Sequence, residues 1–145
     1  MATIGIDCEI ILDGTGYFIK PDSYRVKHPR IRKETYRADG SLAYVDLGPG
    51  RREWEFTVIA RNELLKYDGT STGVTGETYR TNLHSSYTSN IGTTINFVDP
   101  LNTTIAVHFD HYEERVLDLK SQIIAVATGG SLAASYEIRI LLIES

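Results

Sequence analysis

The feature that most constrains this chain is a period-two alternation of apolar and polar residues that recurs along its length. Apolar side chains occupy every second position in residues 4–12, 54–60 and 136–142. Successive side chains of a β-strand point to opposite faces, so this alternation predicts strands of a half-buried antiparallel sheet. A chain of this kind resembles a framework with projecting segments more than a catalytic pocket.

The overall composition is that of one ordinary globular unit. A length of 145 residues, with 41% hydrophobic and 23% charged residues, predicts a single β-rich domain over 1–145. Cys8 is the only cysteine, which rules out an intrachain disulfide, and its place in the 4–12 stripe predicts a small buried side chain. We expect folding in a reducing cytoplasm, no secretory signal and no membrane span.

Turn residues divide the chain into short extended segments. We predict strands over 3–12, 17–20, 30–37, 42–47, 51–61, 93–98, 103–109, 112–127 and 135–143. Asp39-Gly40, Asp99-Pro100 and Gly129-Gly130 supply the turns between successive strands.

A change of period marks one helix. Tyr79, Leu83 and Tyr87 are spaced by four, which predicts an amphipathic helix over 77–87 with Thr75 as its cap, after a flexible loop around 68–76. The predicted fold is all-β with one helix, an antiparallel β-sandwich or barrel flanked by an α-helix. We expect a set of large apolar side chains to form its core: Trp54, Phe56, Phe97, Phe109 and Ile138.

The hairpin predicted around 30–47 differs from the other strands because its first arm has hardly an apolar face. It lies in a basic region: residues 20–37 hold seven Lys and Arg against two Asp and Glu, whereas residues 68–145 hold four against nine. A basic hairpin on an acidic body suggests contacts between copies of the chain. The side chains predicted to make that interchain contact are Arg30, Arg32, Lys33, Tyr36, Arg37, Asp39 and Tyr44.

Patterns that would indicate catalysis are weak. The segment 108–114 collects His108, Asp110, His111 and Glu113, but in an extended chain these alternate between two faces and do not converge on one metal ion. Outward carboxylates at Asp7, Glu9, Glu53 and Glu55 are the expected polar face of a sheet. The sequence contains neither a nucleophile elbow nor a phosphate-binding glycine loop, so we expect no enzyme, no metal and no cofactor.

Two binding functions compete with self-assembly. The basic stretch 24–33, with Tyr24 and Tyr36 as stacking faces, would suit nucleic acid, but the acidic remainder of the chain, with an isoelectric point near 5.5, disfavours it. Nine scattered tyrosines leave a carbohydrate-binding β-sandwich module as the alternative function.

Several stretches together carry a resemblance to a known family. The chain is similar to small tail proteins of tailed bacteriophages, in particular the distal-tail (baseplate hub) group and its tail-tube relatives. The stretches that carry the resemblance are Thr35-Tyr36-Arg37-Ala38-Asp39-Gly40-Ser41, Arg51-Arg52-Glu53-Trp54-Glu55-Phe56, Ile95-Asn96-Phe97-Val98-Asp99, Thr104-Ile105-Ala106-Val107-His108-Phe109 and Tyr136-Glu137-Ile138-Arg139-Ile140.

This resemblance implies a structural virion protein, made in the host cytoplasm and placed in the tail or tail tip. It implies a homo-oligomeric ring, with a hexamer favoured, that contacts other phage tail proteins and encloses a channel through which DNA passes without specific binding. The chain is shorter than many distal-tail proteins and has no obvious receptor-facing second domain, which fits a ring or adaptor component.

Overall fold

The computed structural model describes residues 2–62, 64–119 and 133–145. The described residues form nine strands and one helix. In chain order these are β1 (Ile10–Leu12), β2 (Thr15–Ile19), β3 (Arg25–Lys27), β4 (Arg30–Tyr36), β5 (Leu42–Pro49), β6 (Glu53–Ala60), α1 (Gly76–Ser89), β7 (Ile95–Val98), β8 (Thr104–Leu119) and β9 (Ala133–Glu144).

Six of the strands close into an antiparallel barrel. Each one pairs with two neighbours in the cyclic order β1, β2, β6, β9, β8, β7 and back to β1. Closure gives each strand a hydrogen-bonding partner on both sides, at least along part of its length. The predicted class, all-β with one helix, is confirmed. The sequence left a sandwich or a barrel open, and the strand pairing is that of a barrel.

Strands β2 and β3 pair one after the other with the same neighbour, β6. Phe18 and Ile19 pair with the second half of β6, and β3 pairs with its first half. Between them the chain bends at Asp22, whose φ is +65°. Thr57 bridges the bend, because its carbonyl accepts from the Lys20 N–H at 2.7 Å and its N–H donates to Ser23 Oγ at 3.2 Å.

The barrel interior is filled with aromatic and aliphatic side chains. Phe97 is fully buried and lies between two other rings, with centroid distances of 5.8 Å to Phe56 and 5.7 Å to Trp54. The five predicted core residues are all buried, so that prediction is confirmed. The reason is the one-to-one register of β6 with β9, which puts the alternating apolar faces of both strands on the inside.

The helix packs against the barrel and begins where the sequence indicates. The N–H of Thr78 donates to Thr75 Oγ1 at 3.2 Å, so Thr75 is the cap, as predicted. Tyr79 and Leu83 are buried in the core cluster, and the Tyr79 ring lies 6.1 Å from the ring of Tyr17 in the middle of β2. Near the end of the helix, the Ser86 hydroxyl donates to Asp13 at 3.1 Å.

The prediction of one strand over 3–12 is wrong in its first half. Gly5 has a φ of +83°, and the Ile6 N–H donates to the Thr3 carbonyl at 3.2 Å, so this segment is a turn. A turn satisfies its backbone groups locally and breaks the alternation of faces, which leaves the Ile6 side chain 51% exposed. The strand starts only at Ile10, although Cys8 is buried as predicted.

The strands predicted at 103–109 and 112–127 are not separate at their junction. They join in the 16-residue strand β8, whose pairing with β9 shifts register between Phe109 and His111. A register shift of this kind lets a polar segment stay within a continuous ladder. The remainder of the 112–127 prediction, and the turn at 129–131, lie outside the described residues.

Candidate functional site

The hairpin formed by β4, β5 and the turn between them, hereafter the projecting hairpin, forms a sheet of its own. Within the described residues, β4 and β5 pair only with each other. All seven residues of β4 are exposed. At the turn, the Arg37 N–H donates to the Ser41 carbonyl at 2.7 Å and Gly40 has a φ of +87°, a conformation that glycine adopts readily.

The base of the projecting hairpin is fixed to the barrel by a charged contact. The Gly50 N–H donates to the Pro29 carbonyl at 2.7 Å, which closes the hairpin where it leaves the barrel. Arg52 binds the Glu144 carboxylate at the end of β9 through two nitrogens, at 2.7 and 3.2 Å, and its guanidinium lies 5.0 Å from the centre of the Trp54 ring. This bidentate bond raises the pKa of Arg52 and lowers the pKa of Glu144.

One face of the projecting hairpin, the aromatic face, mixes rings with charges. Glu34 is opposite Tyr44, and Tyr36 is opposite Leu42. Arg32 precedes Glu34 by two residues on β4 and therefore lies on the same face. Tyr36 is 82% exposed and Tyr44 60%. Three of the predicted contact residues, Arg32, Tyr36 and Tyr44, therefore share this face.

The other face, the basic apolar face, carries only positive charges beside apolar side chains. Lys33 is opposite Val45. Ile31 is two residues from Lys33 along β4 and Leu47 two residues from Val45 along β5, at the register shift where Ile31 pairs with Gly48. Arg37 follows β4 at the tip. Ile31 is 51% exposed, Val45 47% and Leu47 60%. The first arm alone, with hardly an apolar face, does not predict this apolar contribution from β5. The signal is the spacing of Ala43, Val45 and Leu47.

The last two predicted contact residues have local roles in the hairpin. Arg30 lies at its base, opposite Pro49. Asp39 Oδ1 accepts from the Ser41 N–H at 2.9 Å and from the Ser41 hydroxyl at 2.7 Å, and these bonds lower the pKa of Asp39. Asp39 therefore stabilises the turn. All seven predicted residues lie on one exposed element, and their contact with another chain stays a prediction.

The carboxylates singled out in the sequence are dispersed. Asp7 and Glu9 precede β1, which does not pair with β6, the strand that carries Glu53 and Glu55. Glu55 is bound by the Arg139 guanidinium of the neighbouring strand, and this bond lowers its pKa. An ion pair of this kind stabilises a sheet surface, and these four carboxylates do not form the opposed pair that acid–base hydrolysis requires.

Two side chains of the segment 108–114 form a hydrogen-bonded cluster with a residue of α1. The Arg80 guanidinium binds the Glu114 carboxylate at 2.7 and 3.1 Å, and the Tyr112 hydroxyl donates to the same carboxylate at 2.7 Å. The bond from Arg80 lowers the pKa of Glu114, and burial raises the pKa of Tyr112. Across the residues that the structure describes, no group of three or more His, Cys, Asp or Glu is placed to hold a metal ion.

The ring of Tyr24, predicted as a stacking face for a base, packs against the core of the protein. Its ring stacks on Phe56 at a centroid distance of 5.9 Å, and burial raises its pKa to about 12. Of the two tyrosines that could have stacked on a base, only Tyr36 presents its ring to solvent. The basic stretch 24–33 therefore lacks the pair of aromatic platforms that single-stranded nucleic acid requires.

Comparison with known proteins adds no family to these observations. No family model matches the sequence, and a search of curated proteins finds no significant match. In the described part of the chain, no helix is both long and apolar enough to cross a membrane. A functional assignment therefore depends on the geometry of the barrel and of the projecting hairpin.

Proposed function

We propose that this protein is a structural subunit of a tailed bacteriophage that acts by self-assembly. It forms a ring in the tail or tail tip, a distal-tail or adaptor component, around the channel through which DNA passes. The observation that carries the proposal is the projecting hairpin, which leaves a completed barrel and displays large side chains to solvent on both faces.

In a solitary molecule such a hairpin has few contacts that would keep it ordered. A two-stranded hairpin in water is marginally stable at best, and stability requires a further strand or an apolar surface to pack on. Six of its residues are large apolar side chains that are more than a third exposed, namely Ile31, Tyr36, Leu42, Tyr44, Val45 and Leu47. Clusters of that kind mark protein interfaces, and the hairpin also has two open edges that invite pairing.

A ring follows if the hairpin of each copy binds a different surface on the next. Such head-to-tail contacts close into a ring when the rotation between copies is suitable, and the resemblance to tail proteins favours six copies. The net charge of −4 suits such a channel if acidic side chains face the lumen, because an acidic lumen repels phosphate and prevents the duplex from adhering. Further tail proteins would stack on the two faces of the ring.

The test is removal of the projecting hairpin. Because the Pro29 carbonyl and the Gly50 N–H already meet at 2.7 Å, residues 30–49 can be replaced by a two-residue Asn-Gly turn without moving the barrel. We expect native mass spectrometry of the intact protein to show a species of six times 16.2 kDa, and electron microscopy to show rings. The deletion variant should be a folded monomer by circular dichroism and by mass.

The matched control keeps the hairpin and changes an exposed apolar residue elsewhere. Leu101, 85% exposed in the turn between β7 and β8, is replaced by Asp, and this variant should assemble as the parent does. Rings with an unchanged number of copies from the deletion variant would refute the role of the hairpin. A parent protein that stays monomeric at high concentration and binds immobilised glycans through Tyr36 and Tyr44 would favour the carbohydrate-binding alternative.

A further inference from the structure

A second exposed apolar surface lies near the end of β6, whereas the projecting hairpin joins the barrel at the start of that strand. Ile6, Leu65 and Tyr67 are 51%, 59% and 61% exposed. They are neighbours, because the Tyr67 N–H donates to the Ile6 carbonyl at 3.0 Å and the Tyr67 ring lies 6.4 Å from the ring of Phe18 on β2. Leu65 precedes Tyr67 by two residues, so three exposed apolar residues come together in a surface that the barrel itself does not cover.

This surface has an acidic rim, and we call the whole the acidic-rimmed patch. Asp7 and Asp68 flank Ile6 and Tyr67 in the chain, and partial burial together with the neighbouring Glu9 raises the pKa of Tyr67. One cation balances the three carboxylates: Lys66 Nζ lies 3.2 Å from Asp7 Oδ1. The rim therefore keeps a surplus of negative charge around an apolar centre.

The basic apolar face of the projecting hairpin has the complementary composition. It presents Ile31, Val45 and Leu47, and its only charged side chains are the cations Lys33 and Arg37. Apolar side chains would meet apolar side chains, and cations would meet a rim with excess carboxylate. Complementarity of this type selects one partner surface among many and fixes its orientation.

The two surfaces do not meet within the molecule that the structure describes, because Leu47 on the hairpin is 60% exposed and Leu65 on the patch 59%. The hairpin joins the barrel at the start of β6, next to Glu53, whereas the patch packs beside Phe18, which pairs with Ile59 near the end of β6. At about 3.3 Å per residue, Glu53 and Ile59 are roughly 20 Å apart along β6. A contact between hairpin and patch is therefore a contact between two copies, and it is head-to-tail.

We propose that the acidic-rimmed patch is the surface of the neighbouring copy that receives the basic apolar face of the projecting hairpin. In this contact Leu47 and Val45 pack on Leu65 and Tyr67, and Lys33 lies near the Asp68 carboxylate. The inference rests on the proposed self-assembly and adds its partner surface.

The decisive experiment mixes two variants, each with one damaged surface. Leu47→Asp damages the hairpin face and Leu65→Asp damages the patch. Both side chains are about 60% exposed, so the barrel should fold in each variant. Each variant alone should be monomeric by native mass spectrometry. An equimolar mixture should give a dimer with one copy of each and nothing larger, because only one intact pair of surfaces is available. Leu101→Asp should assemble as the parent does.

A charge exchange provides an independent measurement. Lys33→Glu should weaken assembly at least about tenfold, since it puts a carboxylate against the acidic rim, and adding Asp68→Lys to the same chain should restore most of the loss. Restoration distinguishes a direct contact from general damage to the hairpin.

The outcomes separate this inference from the function on which it rests. If the parent forms rings, the hairpin deletion abolishes them and Leu65→Asp assembles normally, the patch is not the receiving surface although self-assembly stands. If the mixture of variants gives no mixed dimer, the inference is also overturned. If the parent never assembles, both the proposed function and this inference fail.

Discussion

Replacing Phe97 by alanine tests the closed aromatic core most directly. Phe97 is 0% exposed, and its ring lies between Phe56 and Trp54 at 5.8 and 5.7 Å. It stands on β7, which pairs with β1 on one side and β8 on the other. The substitution leaves a ring-sized cavity inside a barrel whose walls are joined by hydrogen bonds around the full circumference.

The expected loss of unfolding free energy is about 4–5 kcal/mol. Phe→Ala substitutions in well-packed cores cost about 3–5 kcal/mol, because the loss of transfer free energy is added to the cost of the cavity. Contacts with two aromatic rings add about 0.5–1.5 kcal/mol each beyond the buried area. A closed barrel has little freedom to collapse onto the cavity, which favours the upper half of the range. For a domain of this size, the melting temperature should fall by roughly 10–15 °C.

Equilibrium unfolding in urea provides the assay. Trp54 is the only tryptophan and is 1% exposed, so its fluorescence reports on the opening of the core. Because Phe97 touches Trp54, the substitution also changes the native fluorescence, and far-ultraviolet circular dichroism should be recorded as the second probe. Coincident transitions from the two probes allow the shift in midpoint to be read as a free energy.

Leu101→Ala is the matched control, because Leu101 is an apolar residue that is 85% exposed. Its unfolding free energy should stay within about 0.5 kcal/mol of the parent value. A loss below about 1 kcal/mol for Phe97→Ala, with a normal control, would show that the ring is not enclosed and would refute the closed core.

Two further predictions concern local contacts. Thr75→Ala removes the acceptor for the Thr78 N–H and should lower the unfolding free energy by about 1 kcal/mol in thermal melts, whereas Thr75→Ser should retain most of it. The Arg52 guanidinium holds the pKa of Glu144 below its ordinary 4.5, so this pair contributes stability above that pH and loses it as the pH falls through the folded-state pKa. Glu144→Gln should therefore lose less stability than the parent between about pH 5 and 3 in urea titrations, and equal losses would contradict this account.

The parts of the fold that follow from neighbouring residues could be predicted from the sequence. The alternation from Trp54 to Ala60 is a strand with its apolar face inside, because side-chain direction in an extended chain is fixed by the backbone alone. The Asp39-Gly40 turn and the Thr75 cap depend on bonds across two to four residues. Local features of this kind can be predicted without knowledge of the tertiary packing.

The candidate site could be predicted only in part from the sequence. The basic first arm of the projecting hairpin identified an exposed element, and all seven predicted residues lie on it. Its apolar side emerged only with the register that puts Val45 opposite Lys33. Ile6 was assigned to a core stripe, because period two cannot reveal that Gly5 turns the chain.

What the sequence determined by itself is most of the strands, the helix and most of the buried side chains, since these depend on periodicity and on short-range bonds. What only the tertiary structure decided is the closure of the barrel, through pairings such as Phe18 with Ile59, and the placement of two apolar surfaces at opposite ends of β6. Both depend on contacts between residues far apart in the chain, whose free energy is set by the whole arrangement rather than by any local pattern.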